Sequence, residues 1–162
     1  MNPIMGLVIP PDPDQGIELV MFEPNDVDFI QEQVGGCFDV ASSAVHGANI
    51  WFDDLGKAKQ RMINHRATTI LWLESIWREH DFIVGSVLVT GQPDESGSIT
   101  SVPESVLDAV GGMYGWKFEV QNGTDEWVGN DGVFNNYFVA ATRAIKLSQR
   151  RPSVTEIRVV QA

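Results

Sequence analysis

The chain has 162 residues, 43% of them hydrophobic and 20% charged, with 22 Asp and Glu against 11 Lys and Arg for a formal net charge of -11. That length suits a single compact domain over residues 1–162, and the composition excludes a disordered or fibrous chain. The acidic excess argues against duplex nucleic acid as a partner, because phosphate binding takes Lys and Arg, and no apolar run approaches the roughly 20 residues that span a bilayer, so no membrane association is expected.

Met5 to Ile9 reads as a first strand, broken by the turn-rich PPDPDQG at 10–16, and Ile17 to Phe22 as a second. Asn25 or Asp26 can cap a short helix running through Gln33, since Val27, Ile30 and Val34 recur at helical spacing, and Gly35 and Gly36 stop it. Cys37 to Ala41 and Asn49 to Phe52 read as short strands, with a turn by composition at 53–56. From Lys57 to His80 the pattern turns helical, with Ile63, Ala67, Ile70, Leu73 and Trp77 on one face. Phe82 to Thr90 is apolar on both faces and so reads as a central strand, with Gly85 marking a bulge or a close approach.

Gly91 to Ser98 is a polar turn, and Pro103 opens a helix to Val110. Trp116 to Gln121 alternates as a strand does, Asn122 and Gly123 signal a hairpin, and Trp127 is placed on the return strand. Phe134, Tyr137, Phe138, Ala141 and Ile145 make a further helical stripe, whose C-terminal end carries Arg143, Lys146, Arg150 and Arg151 and is closed by Pro152. Val154 to Val160 is a final strand. The expected class is therefore α/β of the α+β kind: a small mixed, largely antiparallel sheet with two longer helices packed on it.

No motif for catalysis emerges, and no enzymatic activity, cofactor or metal is expected. His46, His65 and His80 offer no pair at i, i+4 that would project two ligands from one helix face. Cys37, the only cysteine, excludes an internal disulfide and reads as a core thiol, since free Cys buries readily. Asp53 and Asp54 point to opposite sides of a strand and read as turn residues. Gly111, Gly112 and Gly115 lack the spacing of a phosphate loop. The five Trp, at 51, 72, 77, 116 and 127, suit either core packing or a ligand pocket, and Trp72 lies off the apolar stripe.

Five local features, IQEQVGG at 30–36, IWFDDLGKAK at 50–59, NHRATTILW at 64–72, IVGSVLVTG at 83–91 and TSVPE at 100–104, resemble in order and spacing a family catalogued as domain of unknown function 3846. The resemblance covers about 17–104, which makes 105–162 a C-terminal extension packed on a family-like core. It implies a bacteriophage or mobile-element setting and a small α/β domain without a catalytic motif. Its pattern also makes Asn64 an N-cap, so that the helix starts at His65 and 57–63 is extended or irregular.

Charge suggests a first function. Residues 1–56 hold ten acids and no Lys or Arg, and Asp12, Asp14, Glu18, Glu23, Asp26, Asp28 and Glu32 are expected to gather largely on one side of the molecule. Such a surface fits a non-catalytic phage-type accessory protein that binds a basic host protein, a defence or DNA-processing factor, in the host cytoplasm. A second reading is a protein that binds a small nucleotide-like molecule through Asn64, His65, Arg66, Thr68, Thr69 and Trp72.

Overall fold

The structure, a computed structural model, describes residues 2–74 and 76–162. Two compact units emerge. The first takes the chain up to Thr68 and again from Phe82 to Val106; the second takes Thr69–Asp81 and Leu107–Ala162.

In the first unit β1 (Ile4–Ile9), β2 (Glu18–Phe22), β3 (Phe38–Ser43), β4 (Ala48–Asp53) and β5 (Val87–Gly91) form an antiparallel sheet in the order β2-β1-β5-β4-β3. The five residues of β5 are all buried at its centre, as apolarity on both faces requires. The strand is shorter than Phe82 to Thr90 because the chain turns at Gly85, whose φ of +75° lies in the left-handed region. Upstream of that turn Val84 bridges to Ile63 instead, and the Gly85 amide donates to Met62 O at 2.8 Å.

Helix α1 (Val27–Val34) covers one face of this sheet, burying Ile30 and Val34 against Val8, Phe22 and Leu88. Its ends follow the local chemistry. The Asp26 carboxylate accepts from the Phe29 amide, and Gly35 ends the helix at φ +89°.

Helix α2 (His65–Trp72) begins where an Asn64 cap puts it but stops eight residues short of His80. Arg78 explains the early stop, since its Nε donates to Trp72 O and its Nη2 to Leu73 O, at 2.9 and 3.2 Å, satisfying carbonyls at the helix end. Turns follow at 76–80, with Trp77 and Arg78 donating to Glu74 O. They carry the helical spacing of the apolar stripe onward without a continuous helix. Ser75, within the stretch read as helical, lies outside the described residues.

The second unit holds a separate antiparallel sheet, β7-β6-β8, of β6 (Trp116–Gln121), β7 (Val128–Gly129) and β8 (Glu156–Gln161). Strands β6 and β7 are joined by a six-residue loop rather than a two-residue turn, and Trp127 sits just before β7. Helix α4 (Tyr137–Arg150), capped by Asn136, lays Tyr137, Ala140, Ala141, Ala144 and Ile145 against Trp116, Val120 and Ile157. Three alanines on that face let the helix backbone approach closely. Helix α3 (Glu104–Gly111) completes the α+β fold. Among the described residues it has one long helix and three of eight residues, with the strands shared between two sheets. No helix among the described residues is long and apolar enough to cross a membrane.

Candidate functional site

Parts of three of the five sequence features, Gly35 and Gly36 of the first, Asp53 and Lys59 of the second and Gly85 of the fourth, meet in the first unit around one buried carboxylate. Asp53 ends β4 with its side chain fully out of solvent, and its Oδ2 accepts from Lys59 Nζ at 2.8 Å and from Arg61 Nε at 3.0 Å. Its Oδ1 accepts from the Leu55 amide at 2.9 Å, which shapes the turn. Burial opposes ionisation, but the hydrogen bonds from Lys59, the Leu55 amide and Arg61, with the Lys59 charge, outweigh it and hold Asp53 below its ordinary range. The same two cations reach across to the end of α1, where Gly35 O accepts from Arg61 Nη2 at 3.0 Å and from Lys59 Nζ at 3.4 Å.

Glycines make room for this cluster. A Cβ on Gly36 would stand 2.7 Å from Lys59 Nζ, and one on Gly85 2.9 Å from Arg61 Cδ. The turn reading of Asp53 was therefore incomplete: it shapes the turn and also anchors two cations. Lys59 and Arg61, six and eight residues further on, are the partners that the sequence reading missed. The available signal was three basic residues at alternate positions, Lys57, Lys59 and Arg61, following an Asp-Asp-Leu-Gly turn after a stretch that holds acids alone.

The polar run at the start of α2 is also engaged within the fold. Asn64 is fully buried; its Nδ2 donates to Ile9 O and Gly85 O at 2.8 and 2.9 Å, and its Oδ1 accepts from the Ala67 amide at 3.0 Å. Thr68 Oγ1 accepts from the Ile83 amide at 3.0 Å. Arg66 Nη2 donates to the carbonyls of Pro10, Asp12 and Gln15 at 2.9, 3.1 and 2.9 Å, which pins the β1–β2 loop. Trp72 Nε1 donates to Asp81 O. His65 is exposed and Thr69 half-buried.

The acids lie on the loop, edge and helix that frame the other side of β1. Asp12 and Asp14 are on the β1–β2 loop, where Asp12 Oδ1 accepts from the Asp14 amide. Glu18 opens β2 opposite Val8, on the sheet face that α1 covers. Glu23 and Asp26 lie between β2 and α1, and Asp28 and Glu32, four residues apart, share the outer side of α1. Six of the seven are exposed and Asp12 is half-buried. Among the described residues none of the seven makes a side-chain ion pair with Lys, Arg or His, though Asp12 lies near enough to Arg66 for their charges to interact.

A family model described as "Domain of unknown function (DUF3846)" matches residues 5–115. The chain belongs to the DUF3846 family. The match starts earlier and ends later than 17–104, taking in β1 and the whole of α3. No curated protein and no solved structure matches the chain. All five features that carry the DUF3846 resemblance now have a physical role in the first unit, save the end of the third. IQEQVGG is the end of α1 with its glycine cap, IWFDDLGKAK brings Asp53 and Lys59, NHR supplies the Asn64 cap and Arg66, and IVGS carries the Gly85 turn. In TSVPE, Ser101 Oγ accepts from the Met5 amide at 3.0 Å.

Cys37 is exposed rather than buried. It precedes the first β3–β4 pair, Phe38 with Asp53, at the outer edge of the DUF3846 sheet, so no neighbouring strand covers it. The tryptophans divide between the units. Trp51 packs in the first, where its Nε1 donates to Thr90 Oγ1 at 2.9 Å and its ring meets Phe38 edge-on. In the second, Trp116 is buried edge-on to Tyr137, and Arg158 stacks 4.2 Å over the Trp127 ring. No group of three or more His, Cys, Asp or Glu among the described residues is placed to hold a metal ion.

Proposed function

We propose that this chain is a non-catalytic accessory protein of the phage and mobile-element type, whose acidic surface binds a basic host protein such as a defence or DNA-processing factor. The observation that carries the reading is an imbalance within the first unit. That unit holds thirteen Asp and Glu against four Lys and Arg. Three of those four cations, Lys59, Arg61 and Arg66, spend their hydrogen bonds on Asp53 or on backbone carbonyls. The acids of β2 and α1 thus keep their charge uncompensated and exposed, which gives a field able to steer a cationic surface.

The test is a pull-down from host lysate with the parent and with the double variant Asp28→Lys, Glu32→Lys, first shown to be folded. Steering and rim contacts weaken as the Debye length falls, so partners held at about 50 mM salt should be released towards about 0.5 M. The double variant should lose the same partners at low salt. Equal recovery by parent and variant, or no specific partner with either, removes the proposal.

A further inference from the structure

The first sheet ends in β2, and the outer edge of that strand is open. Met5 donates its amide to Ser101 Oγ at 3.0 Å, and its carbonyl accepts from the Val102 amide at 2.8 Å, so both groups point away from β2. In an antiparallel ladder, opposed residues alternate between exchanging both hydrogen bonds and exchanging none. Met5–Met21 and Leu7–Leu19 are therefore pairs of the second kind. The amides and carbonyls of Leu19 and Met21 consequently point outward from the sheet. Among the described residues none bonds to these four groups, and the two side chains are 56% and 55% exposed.

An open edge of this kind is a template for another strand. The charge around it selects the occupant. Glu18 begins the strand and Glu23 follows its end, both exposed, with Asp14 just ahead on the loop. A second copy pairing along β2 would set these acids against their own kind, whereas a basic segment would be drawn in. The opposite edge strand, β3, carries Asp39 alone and has no acid directly flanking it, where β2 has Glu18 within it and Glu23 directly after it.

We infer that β2 receives an extended segment of a basic protein as a sixth strand. Side chains alternate across a sheet, so the segment carries Lys or Arg where it passes Glu18 on one face and apolar side chains beside Leu19 and Met21 on the other. The inference rests on the acidic-surface reading and adds to it the mode of binding and the pattern of the bound sequence.

A synthetic peptide of alternating Lys and Val tests it, with a Glu and Val peptide as control. Backbone amide exchange is read by nuclear magnetic resonance on the full chain. The expected result is salt-sensitive binding of the Lys peptide alone, with at least tenfold slower exchange at the Leu19 and Met21 amides. Leu19→Pro and Met21→Pro each remove one outward amide while leaving the β1 ladder intact, and each should weaken the peptide about tenfold. If both variants unfold, amide protection in the parent decides.

Salt-sensitive binding that leaves the Leu19 and Met21 amides unprotected, with shifts confined to α1, overturns strand addition and leaves the acidic-surface reading standing. Protection of those amides without peptide, rising with protein concentration, overturns the choice of occupant in favour of a second copy. Absence of peptide binding at low salt also overturns strand addition, while the acidic-surface reading is judged by its own pull-down.

Discussion

Arg61 Nε lies 3.0 Å from Asp53 Oδ2, joining a half-exposed cation to a carboxylate fully removed from solvent. With Lys59 on the same oxygen, the pair ties the end of β4 to the glycine-capped end of α1. Because the Asp53 pKa is lowered from its ordinary 3.8, the stabilisation is complete above that value and lost as pH falls through the folded-state pKa. Asp53→Asn should lower stability at neutral pH by about 2 kcal/mol, less than for a pair buried on both sides because Lys59 and Arg61 keep part of their hydration. Urea denaturation of parent and variant, repeated down to about pH 2, should show the gap closing below about pH 4. A gap that is constant with pH would assign the loss to packing and not to charge.

Asn64 is the second anchor, with every side-chain hydrogen-bonding group but one amide lone pair accounted for by Ile9, Gly85 and Ala67. Asn64→Leu has similar volume but strands two carbonyls and one amide in the interior, at a cost of about 3 kcal/mol or more. Asn64→Asp keeps the cap acceptor but buries a charge among carbonyl oxygens and should be at least as damaging near neutral pH. Thermal melts of the two variants check this. A variant that melts with the parent would show that water reaches those carbonyls.

Local chemistry was legible where it acts over a few residues. Asn25 or Asp26 and Gly35 announced the ends of α1 by their residue types, the apolar run at Val87 to Val89 announced a central strand, and the Asn64 cap came from the family pattern where apolar periodicity alone began the helix at Lys57. What escaped detection depends on contacts made across the chain. Nothing in the apolar stripe from Ile63 to Trp77 shows that Arg78 folds back onto Trp72 O and Leu73 O and ends the helix. Alternating patterns mark strands but not the sheet they join, so the division into five and three strands was not visible. Cys37 was placed by the average behaviour of its residue type, while its exposure comes from lying just ahead of an edge strand. The acids were legible as a charge run, but their freedom from cations depends on where Lys59, Arg61 and Arg66 turn.

Gly85 and Gly47 separate backbone strain from crowding. Both have positive φ, +75° and +62°, yet a Cβ on Gly47 would meet nothing within 4 Å, whereas one on Gly85 would meet Arg61 Cδ at 2.9 Å. Gly47→Ala should cost about 1 kcal/mol through backbone conformation alone. Gly85→Ala should cost more, and part of the excess should vanish in an Arg61→Ala background, where the crowding atom is gone. Chemical denaturation of the parent, Gly85→Ala, Arg61→Ala and the double variant closes a double-mutant cycle, with Gly47→Ala as the reference for backbone strain alone. Equal costs at the two glycines would remove the crowding argument.

The two kinds of acid on α1 should separate under substitution. Asp26 is a structural acid, because its Oδ1 accepts from the Phe29 amide at 3.1 Å and satisfies one of the orphan donors of the first turn. Asp26→Ala should therefore cost about 1 kcal/mol, and Asp26→Asn much less, since the amide oxygen still caps. Asp28 and Glu32 make no hydrogen bond or ion pair to another described side chain, and both are exposed on the outer side of the helix. Glu32→Lys should leave stability within about 0.5 kcal/mol of the parent. Asp28→Lys loses a favourable charge near the helix N-terminus and should cost a few tenths of a kcal/mol more. Urea midpoints for the four single variants check the ordering. A large loss for Glu32→Lys would show that its charge supports the fold, and charge reversal on α1 would then report on folding instead of recognition. If the expected order holds, reversal at Asp28 and Glu32 changes the charge of α1 while its cap and packing stay in place, and any partner lost with it is lost for electrostatic reasons.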